Sequence, residues 1–207
     1  MIVKPLVLGE LRTNCYLIIN DKGNCIVIDP ADEKDKIISE IKSQNLSLKA
    51  ILLTHGHFDH IMATNALKKE FDCPVIIGDA DEEMLKDDLK NAAVLLGMHV
   101  EKILADKKVN DKDVLDIDDF RIKVIATPGH TKGSVCYVLE DNIFSGDTIF
   151  FECVGRTDLY GGDAVKLMTS LKKLKDLEGE YKIFSGHGRE TTLSYEKEYN
   201  LWLKSAK

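Results

Sequence analysis

The chain lacks any apolar stretch close to the roughly 18 residues that a membrane-spanning helix needs. Residues 1–10 also lack a basic segment followed by a long apolar one, which is the pattern of a secretory signal peptide. We therefore expect a protein of the cytoplasm that does not act on a membrane.

Positive charge is scarce as well. The chain has 28 Lys and Arg against 35 Asp and Glu, a formal net charge of −7 at pH 7. An acidic surface repels the phosphates of nucleic acids and of acidic lipids. These totals argue against nucleic acid as a partner, and they do not address the oligomeric state.

The five cysteines are odd in number and lack any C-x-x-C pair. They are Cys15, Cys25, Cys73, Cys136 and Cys153. Their neighbours are mostly apolar or β-forming residues, which favours free, buried thiols in a reducing compartment. Cysteine is therefore not expected to carry the chemistry.

The remaining composition is that of a folded domain. Hydrophobic residues make up 44% of the 207 positions, and this length lies below the roughly 250 residues at which single cores divide. We expect one domain over residues 1–207. Strand-like segments alternate with segments of helical period, which is consistent with two sheets packed face to face with helices outside, although other α/β layouts share this order.

The expected elements follow from these periods. The strands are predicted at residues 2–8, 15–19, 25–29, 50–53, 74–77, 121–126, 134–139, 142–145 and 181–185. The helices are predicted at residues 31–45, 61–70, 79–96, 164–177 and 194–203, with Asp163 as an N-cap. Residues 106–119 are interpreted as a loop and an edge hairpin.

Four possible metal ligands stand close together in the motif H-G-H-F-D-H at residues 55–60, directly after a predicted strand. In extended backbone, side chains two positions apart share a face, so His55 and His57 can converge on one cation. Asp59 and His60, at the turn into a helix, can face a second cation beside it. A single histidine is more often a capping residue, but this group favours a metal site. Imidazole and carboxylate suit Zn²⁺, and also Fe or Mn.

Three more candidate ligands follow later strands, each beside a glycine. They are His130 in T-P-G-H-T, Asp147 in S-G-D-T and His187 in S-G-H-G. Glycine lets the backbone approach a crowded site, and loops at strand ends present functional groups from a rigid scaffold. Each motif alone is a weak signal. Together they supply enough ligands for two metals.

These motifs, in this order, resemble the metallo-β-lactamase superfamily, and the likeness covers nearly the whole chain. T-N-C-Y at residues 13–16, I-D-P at 28–30, G-R-T-D at 155–158 and the final G-H-G look most like the small bacterial hydrolases similar to glyoxalase II. The resemblance implies a mixed α/β (α+β) fold, the four-layer αββα sandwich. It also implies a single domain without the C-terminal helical domain with which full-length glyoxalase II binds glutathione.

The resemblance further implies a ligand set and a mechanism. It places His55, His57 and His130 on one metal, Asp59, His60 and His187 on the other, and Asp147 as a bridge between them. The implied cofactor is two Zn²⁺ per chain, with Fe or Mn as alternatives. Two adjacent cations lower the pKa of a bridging water, so a metal-bound hydroxide would be the nucleophile. Asp59 would orient that water or move protons.

Three residues lie outside this ligand set. Asp29 matches a family position near the metals and is a candidate for orienting a ligand imidazole, with a turn aspartate before Pro30 as an equal alternative. Arg156 is a candidate for binding a substrate carboxylate, with an ion pair to Asp158 as an equal alternative. His99 has no glycine-flanked strand end beside it, so we expect it at the surface or in a core hydrogen bond.

The resemblance suggests a thioester of the acylglutathione type, or a related ester, as the substrate. Arg156 and Asp158 stand where glyoxalase II has Lys and Tyr, so glutathione recognition itself is not implied. Two other enzymes remain alternatives: a lactonase, and a persulfide dioxygenase, which shares T-H-x-H-x-D-H and G-R-T-D but uses one iron. Residues 185–192, S-G-H-G-R-E-T-T, look more like the hydrolases. A non-catalytic metal module is disfavoured, because a structural zinc site needs about four ligands.

Overall fold

Two six-stranded β-sheets lie at the centre of the structure, a computed structural model that describes residues 1–206. In chain order the strands are β1 (Ile2–Leu8), β2 (Thr13–Ile19), β3 (Asn24–Ile28), β4 (Ser47–Leu53), β5 (Val75–Gly78), β6 (Lys107–Val109), β7 (Val114–Ile117), β8 (Phe120–Ala126), β9 (Val135–Leu139), β10 (Asn142–Gly146), β11 (Ile149–Phe150), β12 (Cys153–Val154), β13 (Lys182–Ser185) and β14 (Thr191–Thr192).

Helices connect these strands. They are α1 (Lys34–Ser43), α2 (Phe58–Ile61), α3 (Thr64–Phe71), α4 (Ala164–Lys175), α5 (Leu193–Tyr199) and α6 (Leu201–Ser205), together with 3-10 helices at Asp79–Lys86 and Ala93–Leu96. The Asp163 side chain accepts from the backbone N–H groups of Val165 and Lys166, which confirms it as the N-cap of α4. Within residues 1–206, none of the helices is both long and apolar enough to cross a membrane.

The strand order separates the two halves of the chain. The first sheet has the order β1-β2-β3-β4-β5-β6, and the second has the order β14-β13-β10-β9-β8-β7. In the first sheet, β3 to β6 are parallel. In the second, β8 and β10 both run antiparallel to β9, and β13 runs parallel to β10. The strands β8, β10 and β13 therefore end at the same edge.

Three apolar clusters define the layers. Alternation along β3 places Cys25 and Val27 in a cluster with residues of α1 and α3, and Ile26 and Ile28 in a cluster between the sheets. A third cluster joins the outer face of the second sheet to α4, α5 and α6. The order is helix, sheet, sheet, helix. The prediction of a four-layer αββα sandwich is confirmed, while the limits of the single domain stay a prediction.

Two predicted helices were wrong in detail. Residues 79–96 form two short 3-10 helices, because Asp87 and Asn91 side chains accept backbone N–H groups and Ala92 takes a left-handed conformation with φ of 69°. Residues 194–203 form two helices, because Asn200 is extended and its side chain caps α6. In addition, β6 lies at the edge of the first sheet instead of in a loop.

The cysteines are free, as the sequence predicts. Cys15, Cys25, Cys73 and Cys136 are buried, whereas Cys153 is exposed. Burial raises the pKa of the four buried thiols, to about 12 for Cys25 and to about 11 for Cys73 and Cys136. A thiol is a poor nucleophile compared with its thiolate, so these four are chemically quiet.

One thiol per native chain is therefore expected to react with an aromatic disulfide reagent at neutral pH, and all five after unfolding in denaturant. Absorbance of the released aromatic thiol measures both numbers. In Cys153→Ser the native reaction should disappear. A native reaction that persists in this variant at the original rate would contradict the burial of the other four.

Candidate metal centre

The seven predicted ligands converge where strands end. They are His55, His57, Asp59 and His60, in the segment that follows β4, and His130, Asp147 and His187, which follow β8, β10 and β13. The first four come from the sheet built by the first half of the chain, and the other three from the sheet built by the second half. The centre is therefore completed only where the edges of the two sheets meet.

Three histidines form the first group. One ring nitrogen from each of His55, His57 and His130 lies within 4.8 Å of those of the other two, and all three side chains are buried. His57 Nδ1 lies 2.8 Å from His130 Nε2. His130 Nδ1 lies 2.8 Å from the carbonyl oxygen of Arg156 and must donate to it. With Nδ1 engaged in this way, the other ring nitrogen, Nε2, faces the group.

Asp59, His60 and His187 form the second group, again with one ligand atom each within 4.8 Å. His187 Nε2 lies 3.3 Å and His60 Nε2 3.5 Å from Asp59 Oδ2. Asp147 lies between the groups: its Oδ1 is 3.4 Å from His60 Nε2 and its Oδ2 is 3.5 Å from His130 Nε2. This position is the one that a bridging ligand needs, and the bridging role itself stays a prediction.

Asp29 lies behind the second group. Its two carboxylate oxygens accept from the backbone N–H and hydroxyl of Thr54, at 2.7 and 2.6 Å, and Oδ2 lies 2.9 Å from His60 Nδ1. With both oxygens engaged, Asp29 holds His60 so that Nε2 faces Asp59 and Asp147. A role for Asp29 in orienting a ligand imidazole fits this contact and stays a prediction.

Several polar atoms of the cluster are buried without a hydrogen-bond partner. Among residues 1–206 these include His55 Nε2, His57 Nε2, His60 Nε2 and Asp147 Oδ1. Most buried polar atoms in folded proteins have a partner, because leaving one unsatisfied costs about 1–3 kcal/mol. Several unpartnered nitrogen and oxygen atoms in one place are what a site for bound cations would provide. The nitrogen and oxygen donor set, without thiolate, fits Zn²⁺, Fe or Mn.

The protonation states of His55, His57 and Asp59 also fit a metal centre. Burial lowers the pKa of His55 well below its usual value and that of His57 to about 3, so both imidazoles are neutral at pH 7. Burial would raise the pKa of Asp59, but the charge of His60 and contact with His187 outweigh it and lower that pKa to about 2. His55 and His57 of the first group are thus neutral imidazoles and Asp59 of the second group is an ionised carboxylate, which are the forms that bind metals.

His60 behaves differently. Burial would lower its pKa, yet the carboxylates of Asp59, Asp147 and Asp29 together outweigh burial and raise the pKa well above the usual value. The same contact works in the opposite direction on Asp147, whose pKa His60 holds well below the usual range despite burial. Without a bound metal, the His60 ring is protonated. A bound cation would replace one of the ring protons.

Two of the glycines beside the ligands, Gly129 and Gly186, are required by crowding. A Cβ on Gly186 would overlap Asp147 Oδ1 and His60 Cε1, and a Cβ on Gly129 would overlap the backbone of Leu167 in α4. Gly129 also has a φ of 143°, which other residues avoid. The expectation that glycine permits close approach to the ligand site is confirmed at Gly186, whereas Gly129 permits the close approach of α4.

Sequence reasoning missed Asp81, a fully buried carboxylate in the first 3-10 helix. Its Oδ2 accepts from the backbone N–H of Gly56 at 3.1 Å and from the hydroxyl of Thr131 at 2.6 Å, and its Oδ1 accepts from Gly133 N at 2.6 Å. Asp81 thus joins the loop of His55 and His57 to the loop of His130. It stands in an acidic stretch where no spacing distinguishes it.

Replacement of Asp81 by alanine is expected to cost about 3 kcal/mol in the free energy of unfolding, because two backbone N–H groups and a hydroxyl lose their acceptor. Metal affinity should fall by about 10- to 100-fold, since both ligand loops of the first group lose their support. Denaturant unfolding and metal titration measure the two effects. Asp79→Ala, which removes only a surface ion pair with Lys108, is the matched control. Equal behaviour of the two variants would contradict the role given to Asp81.

A second set that sequence reasoning left without a role lies at the start of β2. The Thr13 hydroxyl donates to Asp59 Oδ2 at 2.9 Å. The Asn14 side chain donates to the carbonyl oxygens of Ser185 and Gly188, at 2.9 Å each. These contacts fix Asp59 and the loop that carries His187. In the sequence, only the T-N-C-Y motif pointed to Thr13 and Asn14. It indicated a family resemblance and did not show which residues they contact.

The two remaining candidates lie away from the cluster's interior. The Arg156 guanidinium forms two hydrogen bonds with the Asp158 carboxylate, at 2.6 and 2.8 Å, which is the ion pair named as its alternative. Arg156 also lines the cavity above the metal centre, so a role in substrate binding stays a prediction. His99 lies at the surface, hydrogen-bonded to Asp88.

The fold and the cluster define a class of protein: an αββα sandwich with a histidine and aspartate metal centre at the edges of two sheets. The sequence matches the family model described as Metallo-beta-lactamase superfamily over residues 8–187. The chain belongs to the metallo-β-lactamase superfamily.

Full-length relatives support this membership. The chain is 38% identical to the probable metallo-hydrolase YqgX of Bacillus subtilis over 204 residues, which cover 97% of this chain and 96% of the relative. It is 33% identical to hydroxyacylglutathione hydrolase GloC of Haemophilus influenzae over 210 residues, 99% of each protein. The resemblance to small glyoxalase II-like metallo-hydrolases is confirmed.

Solved structures agree. The B3 metallo-beta-lactamase BLEG-1 matches with a TM-score of 0.95 and 36% identity over 99% of this chain and all of that one. TTHA1623, solved in a di-iron-bound form, matches with a TM-score of 0.87 and 35% identity over 97% of this chain and all of that one. ETHE1 from Myxococcus xanthus matches with a TM-score of 0.82 and 29% identity, over 97% and 84% respectively. The family is therefore that of metal-dependent hydrolases, and the relatives carry several different activities.

Proposed function

We propose that the protein is a dinuclear metal-dependent hydrolase that cleaves a thioester of the acylglutathione type, or a related ester. The observation that carries this proposal is the pair of three-residue groups joined by Asp147, with buried donor atoms that have no other partner. The 33% identity to a hydroxyacylglutathione hydrolase over 99% of both proteins supports the thioester. The free thiols suit the cytoplasm as its location.

The proposed cofactor is two Zn²⁺ per chain, with Fe or Mn as alternatives. His55, His57 and His130 would hold one cation, Asp59, His60 and His187 the other, and Asp147 would contact both. When bound, such a pair makes water nucleophilic near neutral pH and polarises a carbonyl oxygen.

The residues of this chain hold the groups of the site in position. Asp59 lines the cavity, and its Oδ2 accepts from Thr13 and lies against His187, so the carboxylate is fixed toward the place where water and substrate meet. We assign to it the orientation of the attacking water and the movement of its proton. Asp29 holds His60, and the Arg156 carbonyl holds His130, so that neither imidazole can turn away.

A persulfide dioxygenase is the second candidate, supported by the similarity to ETHE1. A single-iron oxygenase of this kind would use two histidines and an aspartate. The additional donors of the present cluster, at ligand distance from one another, favour a second cation and therefore hydrolysis.

The test pairs elemental analysis of the purified protein with a thiol-release assay on lactoylglutathione, with and without oxygen. Near two metals per chain and thiol release that does not need oxygen are expected. A lactone and a β-lactam complete the panel, the latter because a similar solved structure is named a metallo-beta-lactamase. One iron per chain, no thiol release, and oxygen uptake with glutathione persulfide would instead identify a dioxygenase.

A further inference from the structure

The cavity above the metal centre has an apolar wall that the ligand set does not explain. Its volume is about 310 Å³, and besides the ligands and Arg156 it is lined by Leu11, Phe58, Ala92, Leu95, Leu96 and Leu159. These residues come from four separate segments: the loop between β1 and β2, the start of α2, the second 3-10 helix with the residue before it, and the loop after β12.

Three of these leucines are unusually exposed. Leu11 is 44%, Leu95 64% and Leu96 54% accessible to solvent. A single exposed leucine needs no explanation, but several that face one cavity beside polar ligands form an apolar patch of the kind that binds ligands. The patch and the metal ligands line the same cavity, so a molecule bound at the ligands has the patch within the same space.

Carboxylates outnumber cationic side chains in the cavity lining, two to one. Apart from the histidines, its charged lining residues are Asp59, Asp147 and Arg156. The Arg156 guanidinium is already engaged by both oxygens of Asp158. A negatively charged group entering beside the leucines would therefore find no free cationic side chain among these lining residues and would lose its hydration.

We propose that the leucine-lined wall is the acyl site, and that it selects thioesters or esters with an uncharged, apolar acyl chain over those with a polar one such as lactoyl. This inference rests on the proposed hydrolase function. The volume lies at the low end of the roughly 300–1,000 Å³ of small-molecule pockets, so the site takes the acyl chain while the thiol or alcohol part points to solvent.

The test compares acyl chains on one thiol. With the metal-loaded protein, kcat/KM is measured for acetyl, butanoyl, hexanoyl and lactoyl thioesters of glutathione. Each added methylene should raise kcat/KM by about fourfold until the wall is filled, which is the gain from burying one CH₂. The kcat/KM of the lactoyl thioester should be lower than that of the butanoyl thioester. Equal rates across the series, or a preference for lactoyl, would overturn the proposal.

Two variants locate the effect. Leu95→Asn should flatten the dependence on chain length, whereas Leu104→Asn should leave it unchanged, because Leu104 is equally exposed at 64% but does not line this cavity. Both side chains lie in solvent, so folding should be unaffected. Identical profiles for the two variants would overturn the assignment. A change of oligomeric state in Leu95→Asn, measured by sedimentation, would also overturn the assignment, because the patch would then be a contact between two copies of the chain.

A binding measurement separates this proposal from the hydrolase function. Calorimetric titration of the metal-loaded protein with acetate, butanoate and hexanoate should show tighter binding as the chain lengthens, with the trend lost in Leu95→Asn. If no thioester or ester is cleaved but this trend is found, the proposed function fails and the apolar site stands. If thioesters are cleaved without any such trend, the function stands and the apolar site fails.

Discussion

Replacement of Asp147 by asparagine is expected to remove most bound metal and to lower kcat/KM by roughly 1,000-fold, the scale of losing a central electrostatic contact in an active site. Asp147 is the residue whose two oxygens face different groups, His60 on one side and His130 on the other. Asparagine keeps the shape of the side chain but removes the negative charge that would offset the two proposed cations. Elemental analysis and the rate of thiol release measure the two effects.

Asp141→Asn is the control, because it makes the same chemical change at an exposed position between β9 and β10. It should keep full metal content and full activity. Thermal unfolding of both variants in the presence of a chelator separates a lost metal site from a lost fold. Two metals per chain and full activity in Asp147→Asn would end the assignment of this residue as a bridge.

Replacement of His55 by alanine is expected to empty the first group while leaving the second able to bind. His55 Nε2 is buried without a partner, and the first group has only three members. Loss of a partner outside the ligand set commonly costs 10- to 100-fold in metal affinity, so loss of a ligand should cost at least about 100-fold. Near one metal per chain and nearly complete loss of hydrolysis should follow.

The control for this prediction is His99→Ala. His99 is a surface histidine whose side chain is 79% exposed and whose ring is hydrogen-bonded to Asp88. Metal content and rate should match those of the unaltered protein. If His55→Ala retained two metals and full activity, the division of the ligands into two groups would be wrong.

Much of the fold could be predicted, because the strands carry strong local signals. The strands around Ile26, Leu52 and Tyr137 are apolar on both faces, as expected for sheets covered on both sides. The stretch at residues 79–96 could not be predicted, since its helical period is overridden by side chains that accept backbone N–H groups and by the left-handed Ala92. Local competition of this kind leaves little trace in hydrophobic periodicity.

The candidate ligands could be found in the sequence because metals bind only a few types of side chain, and here these side chains stand at predicted strand ends, most of them beside glycine. The residues that hold the ligands in place could not be found in this way. Asp81 acts through backbone N–H groups of Gly56 and Gly133, and any sequence supplies such groups. Thr13 reaches Asp59 across 46 positions of sequence. The apolar wall was also missed, because Leu11, Leu95 and Leu159 share no motif and meet only in the folded chain.

The division of the ligands between the two sheets has a consequence for the order of assembly. The half of the chain that forms the first sheet emerges from the ribosome first and carries His55, His57, Asp59 and His60, while His130, Asp147 and His187 follow with the second sheet. Neither half holds a complete set. Each three-residue group takes two members from the first half and one from the second, so loading of either proposed cation would wait until the C-terminal half has docked.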